Sequence, residues 1–149
     1  MDIAKHLAVI DRLCARDFPA EHGRSDLVVA AGPGYFVAEL ETSHGLRVGE
    51  AALRARAAED FHALKEAVAR MLDVRLGQRQ SPWSMLTLRV RGARGEAIPE
   101  PWAEVSLRTD ELSLWGPDGT GRWVAVGVAD RDRADEIQLL AIVTDTAPP

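Results

Sequence analysis

The residues with the most chemical promise are Glu59, His62 and Glu66. Spacings of three and four put their side chains on one face if the segment is helical. A carboxylate and an imidazole one turn apart form the ligand pair of two-metal helical bundles. Such centres need the pair twice, with further carboxylates from neighbouring helices. The second Glu-x-x-His, Glu41 to His44, falls where a strand runs into a turn, so its side chains are not presented alike. The triple also lies off the apolar stripe of its own segment and reads as a solvated polar face. No metal or cofactor is expected.

Other chemistry-bearing types are similarly incomplete. Asp130-Arg131-Asp132-Arg133-Ala134 begins like a calcium loop but lacks the sixth-position glycine and the later glutamate, so helix capping explains it better. Cys14 stands alone on an apolar stripe and reads as a buried small thiol rather than a nucleophile. Ser25-Asp26 and Ser43-His44 are adjacent pairs with no visible third member, and His6, His22, His44 and His62 are scattered. No Gly-x-Ser-x-Gly, Walker loop, His-Glu-x-x-His or paired Cys-x-x-Cys occurs, so no catalytic residue is assigned.

Two glycine-rich stretches could cradle a phosphate: Gly32-Pro33-Gly34 and the run from Trp115 to Trp123, WGPDGTGRW. A cradle needs a helix to start straight after the glycines. Both are followed by β-type residues, Tyr35-Phe36-Val37 and Trp123-Val124, which makes them hairpin turns.

The elements that must position these residues follow from periodicity. Asp2 can cap a first helix reaching about Arg16, with Ile3, Leu7, Ile10, Leu13 and Cys14 inward. LVVAA (27–31) and YFVAEL (35–40) form two strands. Residues 49–74 form a long helix, with Ala57, Phe61, Leu64, Val68 and Met71 as its seam and Gly77 as its stop. Four alternating runs, 85–90, 102–108, 111–115 and 122–128, predict strands, and 132–145 predicts a closing helix with a strand LLAIV as runner-up. The fold class is α+β: a single two-layer domain over 1–149, order α-β-β-α-β-β-β-β-α, its mostly antiparallel sheet covered on one face by helices.

The chain has 149 residues, 46% apolar and 28% charged, with net charge −5. That composition suits a globular domain and argues against a general polyanion binder. Charge is uneven: five arginines and no carboxylate lie between Val74 and Gly95, and eleven carboxylates against four arginines from Glu96 onward. Trp83 inside the basic stretch could suit single-stranded nucleic acid, but Arg89 and Arg91 would sit on a strand's polar side, where Glu104 could pair with them. Nucleic acid is not expected as a partner. No segment reads as a secretory signal or a membrane span, so a cytoplasmic protein is the default.

Register supplies the functional expectation. Leu112 and Leu114 share a face with Val124, Val126 and Val128 only if paired numbers sum to an even total, which requires an odd hairpin loop. Trp115 and Trp123 then fall on the reverse face, and Trp102 joins them. Trp102, Trp115 and Trp123 are therefore the candidate partner-binding residues. The reading is a non-catalytic protein-binding or self-associating module, a protein partner or a homodimer, akin by size and class to chaperones, immunity proteins or adaptors. The alternative is a small-molecule-binding protein or enzyme with a pocket between the long helix and the sheet.

Overall fold

A computed structural model describes residues 2–25, 28–46 and 50–149. Asp26, Leu27 and Gly49, read above as part of a loop pair, a strand start and a helix start, lie outside the described residues. The first half follows its periodicity, except that Met71, expected in the seam of the long helix, is exposed and Leu72 is buried there instead. Helix α1 spans Ile3–Ala15, and the Asp2 carboxylate accepts from the Lys5 N–H at 3.1 Å. Strands β1 (Val28–Gly32) and β2 (Tyr35–Thr42) pair across the Pro33-Gly34 turn, where Gly34 adopts φ 86°. Helix α2 spans Ala51–Leu76 and ends at Gly77, φ 95°.

The second half holds β3 (Trp83–Ser84), α3 (Leu86–Ala93), α4 (Trp102–Arg108), β4 (Thr109–Trp115), β5 (Trp123–Ala129) and β6 (Gln138–Thr144). The six strands form one sheet in the order β1-β2-β6-β5-β4-β3, antiparallel at every pairing. The chain is thus an α+β fold on an antiparallel sheet.

Three segments take another form than their patterns predicted. Residues 85–90 lie largely in α3: Met85 and Leu88 are buried three apart, while Leu86 and Val90 point outward. Residues 102–108 are α4, with Trp102, Val105, Ser106 and Thr109 buried at helical spacing. Windows of six or seven residues fit a period of two and one of 3.6 alike. The 132–145 segment contributes β6 rather than a helix. Leu139, Ala141 and Val143 face one core and Leu140 and Ile142 the other, as a central strand between β2 and β5 requires.

Helices therefore cover both faces. On one, Leu7, Ile10 and Leu13 of α1 and Phe61, Leu64, Val68 and Leu72 of α2 pack on Phe36, Val124, Val126 and Val143. On the other, Met85, Leu88, Trp102 and Val105 pack on Val37, Leu112, Leu114, Ala125 and Ile142. Each such side chain contributes about 1.5–3 kcal/mol when fully buried. Gly127 opposes Leu112, where a Cβ would lie 2.5 Å from the leucine Cδ2, so close strand approach requires glycine.

The β4–β5 hairpin corrects the parity expectation. Its tip is the odd loop: Asp118 N–H donates to the Arg122 carbonyl at 3.0 Å, and Gly121 adopts φ 81°. Continued inward, that pairing would set Gly116 opposite Val124. Instead Trp115 faces Val124 and Leu114 faces Ala125, an odd total. The extra residue sits at Gly116-Pro117, where proline has no N–H to continue the ladder. This one-residue offset puts the leucines and the valines on opposite faces.

Candidate functional site

The three expected partner-binding tryptophans do not share a surface. Trp115, 1% exposed, lies under α1 and α2, and its Nε1 donates to Asp73 Oδ1 at 3.1 Å. Trp102, 0% exposed, belongs to α4 on the opposite side and donates from Nε1 to the Thr146 carbonyl at 3.0 Å. Only Trp123 is half-exposed. The tryptophan face is corrected accordingly: two of its members are core residues on opposite sides of the sheet.

Trp123 instead lines a groove with Trp83. Helices α3 and α4 have eight and seven residues, so each is only about 10–12 Å long, against about 23 Å for a seven-residue strand. At the β5 start, Trp123 is only partly buried against this layer. There Leu114 and Trp123 line a groove of about 620 Å³, together with Pro82, Trp83 and the C-terminal Pro148 and Pro149. Trp83 is fixed by its pairing opposite Leu112 and by an edge-on contact with Trp102, centroids 5.0 Å apart. The tail is fixed by the Trp102–Thr146 bond. Among the described residues, the indole N–H groups of Trp83 and Trp123 meet no acceptor, and no charged side chain lines the groove. The sequence reading considered Trp83 only within the basic stretch and did not join it to Trp123. A tryptophan after a proline in an otherwise polar stretch was the available signal.

The other candidates are engaged in structural pairs. His62 Nε2 lies 3.1 Å from Asp130 Oδ2, and Glu66 accepts both Nη groups of Arg79 at 3.0 and 3.1 Å, so the Glu59–His62–Glu66 face does not converge. Arg79 also binds Asp73 and sits 5.9 Å from the Trp115 ring centroid. These hydrogen bonds hold the Glu66 and Asp73 carboxyls below their ordinary range, and Trp115 adds to the effect at Asp73. Arg75 pairs with Asp11 and Arg91 with Glu96, while Arg89 donates to the Ser106 and Thr109 carbonyls at 2.8 and 2.9 Å rather than to Glu104. Most of the basic stretch is therefore spent inside the fold.

The phosphate reading of WGPDGTGRW meets a direct competitor. Asp118 Oδ1 accepts from the N–H groups of Thr120 and Arg122 at 2.7 and 3.2 Å, occupying the loop donors with the protein's own carboxylate. The Asp130–Glu136 segment is a turn rather than a helix cap; Arg54 gathers the carbonyls of Asp130, Asp132 and Asp135. Burial, with Asp118 and Asp11 adding, pushes the Cys14 thiol up to about 11, which opposes thiolate chemistry. Lys65 is buried with Nζ 3.4 Å from the Glu111 carbonyl, and burial lowers its ammonium pKa. Tyr35 is buried with its hydroxyl 2.9 Å from His22 Nδ1, and burial raises its pKa, with Glu100 and Glu104 adding. The space between α2 and the sheet is filled by Phe61, Leu64, Val68 and Leu72. Among the described residues, no helix is long and apolar enough to cross a membrane.

The chain matches no protein-family model, no curated protein and no solved structure.

Proposed function

We propose that this protein is a non-catalytic protein-binding module whose contact surface is the Trp83–Trp123 groove. The observation that carries the reading is the pair of partly buried indoles whose N–H groups meet no acceptor among the described residues, in a groove without charged side chains. Tryptophan combines a large apolar face with one donor, the combination found at the energetic centres of protein interfaces. Support also comes from elsewhere in the fold, where His62, Glu66, Tyr35 and most of the arginines are held in intramolecular bonds. A cytoplasmic location belongs to the same reading, since the single cysteine cannot form an intrachain disulfide.

A photo-cross-linking residue at position Ser81, introduced in the native host, tests it. The expected result is an adduct with a second protein that disappears when Trp83→Ala and Trp123→Ala are combined. No adduct, or one indifferent to those changes, overturns the reading. Self-association is the second reading. It is favoured by Met71 and Val74, 41% and 78% exposed three residues apart on α2. Sedimentation velocity checks it: a concentration-dependent dimer should be lost in Val74→Glu.

A further inference from the structure

We infer that the groove takes a proline-rich segment of a partner protein in the extended polyproline II conformation. This rests on the reading that the groove is a protein-contact surface. Recognition modes for peptides differ in what they ask of a surface, and the groove answers only one of them. Strand addition needs a free sheet edge. Here the edge strand β3 offers only two residues, and β4 behind it is already occupied: Gln80 N–H donates to the Leu114 carbonyl and Met85 N–H to the Asp110 carbonyl, both at 2.8 Å, flanking the β3 pairing. A helical ligand bonds its own carbonyls internally, so it could meet the indole donors only through side-chain acceptors.

A polyproline II segment has the complementary chemistry. Its carbonyls make no internal hydrogen bonds and point outward, and its rings are rigid and apolar. Trp83 and Trp123 offer two donors and two flat apolar faces to match. The absence of charged side chains from the lining disfavours a basic peptide, because a cationic side chain would lose hydration here without gaining a carboxylate partner. The protein supplies its own precedent: Pro148 and Pro149 border the cavity beside these indoles, anchored through Thr146. Proline rings are thus accommodated at this aromatic surface. A preformed extended ligand also loses little conformational freedom on docking, so a small groove suffices.

The test is a titration of the full-length, nitrogen-labelled protein with decaproline and, separately, with a glycine-serine peptide of equal length. The expected result is a saturable shift of the Trp83 and Trp123 indole N–H resonances, with those of Trp102 and Trp115 nearly unmoved. The glycine-serine peptide should bind at least about tenfold more weakly, and Trp123→Ala should weaken decaproline binding at least about tenfold. Trp83→Phe, which keeps the packing on Trp102 but removes the donor, should also weaken it. No saturable shift, an equal response to the control peptide, or unchanged binding in both variants overturns the inference. If cross-links from Ser81 form while decaproline fails to bind, the proline preference falls and the protein-contact reading stands; if both fail, both fall.

Discussion

On one side of the sheet, the 26-residue α2 extends for about 39 Å, longer than the strands it covers, with α1 beside it. On the other side, two helices of eight and seven residues are joined by a loop, and a groove lined by Trp83 and Trp123 stays open. Both sides carry tryptophan. Under the long helix, Trp115 is enclosed and its indole donor is matched by Asp73, itself gripped by Arg79. On the short-helix face, Trp123 and Trp83 stay only partly buried, and their donors meet no acceptor among the described residues. The same residue type is core under α1 and α2, while on the other face Trp102 is core and Trp83 and Trp123 are candidate contacts.

Truncation should separate the two faces most sharply. Trp115→Ala should cost about 3–5 kcal/mol in denaturant unfolding, because it leaves a cavity and strips a partner from Asp73. Trp123→Ala should cost no more than about 1.5 kcal/mol. Equal losses would erase the distinction. Gly127→Ala, between the faces, should cost about 1–3 kcal/mol, since the new methyl must displace Leu112.

The Arg79 clamp gives a pH-resolved check on the sealed face. Asp73 and Glu66 bind protons less readily when folded, so their contribution is fully present above the ordinary carboxylate range and is lost as pH falls through the folded values. Arg79→Ala should cost about 1–3 kcal/mol at neutral pH. It should also flatten the loss of stability between about pH 5 and pH 3, because the two carboxyls then titrate nearer their unfolded values. An unchanged acid slope would show the clamp to be idle. The smallest effect belongs to Leu107→Lys: at 67% exposed, Leu107 should change stability by under about 0.5 kcal/mol.

How much was legible depended on pattern length. Helix α2 and helix α1 declared themselves through long stripes, the Asp2 cap and the Gly77 stop. The short helices did not, because Met85–Val90 and Trp102–Arg108 are too brief to separate two periods. β6 was ambiguous because a strand buried on both faces has no polar side to mark it. The tryptophan surface failed twice: Pro117 and its neighbour offset the ladder by one and parity carried Trp115 into the core, while the helical period of α4 buried Trp102. The actual groove joins Trp83, Trp123 and Pro148, positions with no periodic relation.

The most direct measurement is hydrogen exchange at the four indole N–H groups, assigned by single Trp→Phe variants. The account expects two slow protons, Trp102 and Trp115, and two fast ones, Trp83 and Trp123. Protection of Trp123 comparable to that of Trp115, or rapid exchange at Trp115, would contradict the claim that one face is sealed and the other left open.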